Sequence, residues 1–187
     1  MTVPGGIGPW IPIVALSVAT LPLAYPVYRI RVRWAVRRGV PVPWARRWSL
    51  AEVAMVVGTV PWLWMILTPS HGVGEVRLVP IVDLVEVLNG SALTAFFQVG
   101  GNLLVFAAFG FFAPLRWRIG VGAVTLLAAG ASTVVELLQY TLRLNRVTSV
   151  DDVLLNAAGA GLAALLSRLL VDPRTDPELA QPRARSI

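Results

Sequence analysis

The chain has no cysteine and no lysine, a single histidine at position 71, and only 14% charged residues in a length of 187. Without cysteine there is no disulfide framework, no thiolate nucleophile and no thiolate metal site. One histidine argues against a His-rich metal centre and against a Ser–His–Asp arrangement within one protomer. His71 itself reads as an incidental loop residue, and neither a metal nor a cofactor is expected. The shortage of charge is matched by 56% hydrophobic residues and a mean hydropathy of +0.71, far from the balance of a soluble domain. The chain reads as an integral membrane protein of one domain, with no spare length for a separate soluble module.

All the basic side chains are arginine, and they set a formal net charge of +6. In a soluble protein that balance would raise nucleic acid as a partner. Here the arginines flank apolar runs, so the positive-inside bias accounts for them and no nucleic-acid partner is expected.

Met1–Pro9 carries no charged side chain and lacks the basic start of a cleaved leader, so it is expected to stay. A first span is expected from Trp10 to Tyr28, perturbed by Pro12, Pro22 and Pro26. The arginine- and tryptophan-rich stretch Arg29–Trp48 reads as a cytoplasmic loop. A second span follows over Leu50–Leu67, with Glu52 near its cytoplasmic end and facing an arginine or the headgroup layer. Three more are expected over Phe97–Leu115, Ile119–Leu142, and from Asp151 or Asp152 to Val171. Between the second and third, Ile81–Asn89 reads as a short interfacial helix whose Asp83 and Glu86 form a solvated face. The predicted fold is all-α, a polytopic transmembrane bundle of about five spans with one short interfacial helix. The proline-interrupted, charged residues 172–187 are expected to form a flexible cytoplasmic tail, with the N-terminus outside.

Against this apolar background the stretch Ser132–Gly161 stands out, because it sets carboxylates and amides within or beside two spans. A carboxylate such as Glu136 is expensive in hydrocarbon unless it is paired, protonated or facing a polar cavity. Ser132, Glu136 and Gln139 share one face of the fourth span, and Asp152, Asn156, Gly159 and Ala163 one face of the fifth. The topology brings Asn102, Glu136, Gln139, Asp152 and Asn156 to similar depth on the outer side. Arg143 and Arg146, in the intervening connection, can reach the rim and offer directed donors to a carboxylate or phosphate. Glu136 is read as functional or as half of a buried pair with one of these arginines. Asn102 and Asn156 serve either a ligand or an interhelical amide bond, and Gln139 is a weaker candidate of the same kind. Asp151 and Asp152 also suit a helix start, with Ser149 or Asp151 as cap.

At these residues the sequence resembles the VanZ-like family of bacterial membrane proteins. The resemblance rests on GNLLVFAAFGFF at Gly101–Phe112, STVVELLQ at Ser132–Gln139 and RVTSVDDVLLNAAGAGLA at Arg146–Ala163. A weaker likeness joins Arg77–Ile81 to the family's Asn-Leu-Ile-Pro-Phe segment. Family members often carry an aspartate three residues after the arginine, where this chain has Ser149. The resemblance implies a VanZ-like domain over 1–171 with its motif-bearing core at 76–171. It also implies roles for Asn102, Glu136, Gln139, Arg146, Asp152, Asn156 and Gly159, and places the chain in a bacterial plasma membrane. The family is named after an accessory protein in resistance to the glycopeptide teicoplanin, an association that establishes no biochemical activity.

Several functions fit. One is binding or modifying the headgroup of an anionic envelope lipid or lipid-linked cell-wall precursor, with Asn102, Gln139, Arg146, Asp151 and Asn156 as binding residues. Another is a lipid-headgroup hydrolase or transferase using Glu136 and Asp152 for acid–base work. Translocation of a proton or solute lacks acidic positions at several depths. A non-catalytic assembly protein would use the polar groups only to join helices.

Overall fold

Two internal prolines do not end the first helix. In the computed structural model, which describes residues 11–70, 72 and 74–171, α1 runs over Ile11–Arg37 through Pro22 and Pro26. Its basic C-terminal turns correct the expected loop, since Arg29–Arg37 is helical. Only Arg38–Pro41 turns, with Gly39 at φ +84°. Helix α2 (Val42–Ile66) starts eight residues earlier than expected, because Pro43 in its first turn is a favourable helix opener. Glu52 therefore lies well inside the helix rather than at its N-terminus. It meets arginines as expected, accepting from Arg31 on α1 and Arg116 on the fifth helix.

The remaining helices are α3 (Val82–Asn89), α4 (Ala92–Val105), α5 (Ala107–Trp117), α6 (Val121–Thr141) and α7 (Val150–Leu170). The expected third span is two helices, α4 and α5, that break at Phe106. Four stretches are long and apolar enough to cross a membrane among the described residues: Val42–Ile66, Ala92–Trp117, Val121–Thr141 and Val150–Leu170. Helix α1, the expected first span, packs along α2, and the expected start of that span at Trp10 lies outside the described residues. So do Met1–Pro9, His71 and the expected tail 172–187.

The outer surface of the bundle is apolar: Leu126 is 74% and Leu169 73% exposed. Such faces suit lipid, where the hydrophobic effect does not hold helices together and close packing must. The core is accordingly built from small side chains, with Ala113, Ala128, Ala160 and Ala164 fully buried beside Val124. Helix α7 is the centre, packed on α4, α5 and α6. Gly110 of α5 and Gly159 of α7 permit this. A Cβ on Gly110 would lie 2.7 Å from Ala160 Cα, and one on Gly159 the same distance from Leu103 Cα.

One feature has no counterpart in the expected helices. Residues Glu75–Arg77 (β1) pair in parallel with Val147–Ser149 (β2), in register Glu75 to Val147 and Arg77 to Ser149. This two-stranded ladder ties the segment after α2 to the α6–α7 connection and sets α3 against the start of α7.

Candidate functional site

Helix α2 ends with carbonyls that have no partner within the helix. Two side chains from the α6 end of the bundle supply donors. Gln139 Nε2 donates to Ile66 O at 2.9 Å. Arg146 donates through Nε to Thr68 O at 3.0 Å and through Nη2 to Met65 O at 2.8 Å. A guanidinium at a helix C-terminus also opposes the negative end of the dipole. These contacts fix Arg146 half-buried, where burial lowers its pKa while Asp152 and Glu136 nearby raise it.

The two carboxylates reach this place from different helices. Glu136, one turn from the end of α6, is buried and accepts from the backbone N–H of Ser149 at 3.1 Å. Asp152, in the first turn of α7, accepts from the Asn102 side-chain amide of α4. One turn further along α7, the buried Asn156 donates through Nδ2 to Ser132 Oγ at 2.8 Å. The expected faces are thus real. Ser132 and Glu136 on α6 meet Asp152 and Asn156 on α7, and Asn102 forms the third wall.

Asp151 points the other way. Its carboxylate accepts from Ile81 N at 2.5 Å and Leu84 N at 3.0 Å, capping the N-terminus of α3 across the chain. Ile81 sits at φ +73°, which a β-branched residue rarely adopts and which costs on the order of 1–3 kcal/mol unless surroundings hold it. Asp151 is the holder. The Asp151→Ala substitution is expected to lower stability by about 2–4 kcal/mol, since both lost bonds are to a charged acceptor. Hydrogen exchange would show it as fast exchange at the Ile81 and Leu84 amides with α6 unchanged.

Asp83 corrects the solvated-face reading of α3. It is buried, accepts from Ser149 Oγ, and receives Arg77 Nη1 at 2.7 Å. Glu86 does remain exposed and joins Glu75 around the same guanidinium, and Glu75, Asp83 and Glu86 together raise the Arg77 pKa. Ser149 also caps α7 by accepting from Asp151 N at 3.2 Å. Asp83, Arg77 and Ser149 were not expected in the cluster. The sequence signals near them are the Arg77–Ile81 likeness, which contains Arg77 and ends two residues before Asp83, and the Arg146–Ala163 likeness, in which Ser149 stands where family members often carry aspartate.

The alternative reading of Glu136, as half of a pair with Arg143 or Arg146, is not met: no ion pair joins Glu136 to either among the described residues. Arg143 lies exposed at φ +51°. Nor do three His, Cys, Asp or Glu side chains gather as a metal site requires, among the described residues. The cluster is instead rich in acceptors. Among the described residues Asn156 Oδ1 is buried without a partner, and no donor takes the second oxygen of Glu136 or of Asp152.

The sequence model of the VanZ/LLP1 family matches residues 55–171, more than half of the chain. The chain belongs to the VanZ/LLP1 family. The match begins within α2 and ends just after α7, so every side chain of the polar cluster falls inside the VanZ/LLP1 region, while α1 and the first turns of α2 precede it. No curated protein and no solved structure matched the chain.

Proposed function

We propose that this VanZ/LLP1 protein binds the headgroup of an anionic envelope lipid, or of a lipid-linked cell-wall precursor, at the acidic end of its bundle. The observation that carries the reading is the meeting of Arg146, Glu136, Asp152, Asn102 and Asn156, from the α6–α7 connection and three helices, at that end. A guanidinium offers directed donors to a phosphate. The acceptors without protein donors suit hydroxyl or amide hydrogens of a sugar or peptide, because a buried polar group left unpaired is costly. In this reading Gln139 and Asp151 position the site, the first through α2 and the second through α3.

The arginine-rich end belongs in the cytoplasm by the positive-inside rule, which puts the cluster on the outer side of a bacterial plasma membrane. With α1 as a fifth crossing, the N-terminus is outside and the C-terminus inside. A hydrolase or transferase is the second reading. It is favoured by Glu136 and Asp152, carboxylates of neighbouring helices that both act electrostatically on Arg146, of which one can donate and the other accept a proton.

Native mass spectrometry of the protein purified from its own membranes, beside Glu136→Gln and Asp152→Asn, tests both. A defined lipid retained by wild type and lost from the folded variants is expected. Turnover of that lipid by wild type alone would select the enzymatic reading. The same mixed phospholipids on all three would sink tight headgroup binding at this cluster.

A further inference from the structure

The opposite end of the bundle carries a different arrangement. Glu52 takes Arg31 on one oxygen, with Nε at 2.8 Å, and Arg116 on the other at 2.6 Å. Two guanidiniums thus share one carboxylate, and the trio keeps a net positive charge. Trp34, one turn after Arg31, lies beneath two cations: the Arg31 guanidinium is 5.1 Å and that of Arg38 3.3 Å from its ring. Arg38 makes no ion pair among the described residues.

From this basic end a groove of about 410 Å³ runs between α1 and α2. Arg31 and Glu52 close it at one end and Thr20 and Val60 at the other, with Leu23, Val27, Val53 and Val56 along its walls. Its α1 wall, Thr20 to Arg31, is about 16 Å long at 1.5 Å per helical residue. That is about half of a ~30 Å hydrocarbon core, the depth of one leaflet. The groove is therefore apolar over the length of an acyl chain and cationic where a headgroup would lie.

We propose that the α1–α2 groove is a binding site for an anionic glycerophospholipid, with one acyl chain in the groove and its phosphate held by Arg31 and Arg38 beside Trp34. The site is separate from the carboxylate cluster and stands whichever way the bundle faces. Charge complementarity selects the anionic lipid over a zwitterionic one, whose ammonium the arginines would repel.

The test uses the full chain in phosphatidylcholine nanodiscs doped with a phosphatidylglycerol that carries a photoactivatable diazirine in its acyl chain. Labelling is expected on Leu23, Val27, Val53 and Val56, and unlabelled phosphatidylglycerol should displace it where added phosphatidylcholine does not. The Arg38→Gln variant, which breaks no ion pair among the described residues, should lower labelling there about fivefold, whereas Arg38→Lys keeps most of it. Val56→Trp, at a position 59% exposed, should block the groove with the melting temperature unchanged. Labelling spread evenly around the bundle, equal displacement by both lipids, or full labelling of a folded Arg38→Gln or Val56→Trp protein would each overturn the proposal.

Discussion

Gly159→Val is expected to prevent the bundle from folding. The first atom of a side chain at this position meets backbone, not a flexible side-chain end: Leu103 Cα and carbonyl carbon both lie 2.7 Å from where the Cβ would be. Helix α4 would have to withdraw from α7. The residue before Leu103 is Asn102, whose amide is bonded to Asp152, so the withdrawal would also dismantle the third wall of the cluster. A loss of more than about 4 kcal/mol is expected, at the extreme of single substitutions. The readout is loss of a monodisperse peak in detergent and rapid proteolysis in membranes. Gly130→Ala on α6 is the matched control. Nothing lies within 4 Å of its added methyl, and alanine in a helix should stabilise by about 0.5–1 kcal/mol. Equal behaviour of the two variants would mean that α4 and α7 do not approach as closely as described.

Arg146→Met should have the second largest effect, through charge rather than volume. The methionine keeps much of the aliphatic stem but removes the side-chain donor from Thr68 O and from Met65 O, which keeps the Thr68 N–H at 3.2 Å. It also removes the cation that faces Asp152 and Glu136. Two hydrogen bonds from a charged donor are lost, at about 1.5–3 kcal/mol each, so a loss of about 3–5 kcal/mol is expected here in thermal or denaturant unfolding. Arg146→Lys should fall between, because an ammonium is a point charge and cannot reproduce the guanidinium's directed fork. Combining Arg146→Met with Asp152→Asn should recover part of the loss by removing one uncompensated carboxylate. Were the double variant no better than the single one, the carbonyl contacts to α2 would be the arginine's whole contribution.

The difference between these two residues also explains what could be read from the chain before its structure. Gly159 and Asn156 follow Asp152 at helical spacing, so a shared face was visible and the structure keeps it. Glu136 was conspicuous because a carboxylate in an apolar helix demands an explanation. The partner it finds is a backbone N–H of Ser149, which no residue-type signal could indicate. Asp83 was misread for a related reason. Periodicity described α3 as a surface helix, and its burial depends on Asp151 holding the left-handed Ile81, a contact across 70 positions. The start of α2 failed differently: charge density in Arg29–Trp48 outweighed Pro43, although helices in membrane proteins commonly extend beyond the hydrocarbon. The break at Phe106 has no proline or glycine at its own position, and hydropathy runs unbroken across it.

The β1–β2 ladder constrains the order in which the protein can be made. Glu75 leaves the ribosome long before Val147, its partner in the ladder. Until the α6–α7 hairpin is inserted, β1 is an unpaired strand edge, and α3 lacks the Asp151 carboxylate that fixes its first turn. The polar cluster therefore closes last, as α7 inserts between helices that are already waiting. A nascent chain arrested before Ser149 would carry α1 to α6 with that end of the bundle open, a natural point at which a chaperone or a quality-control protease would recognise an unfinished molecule.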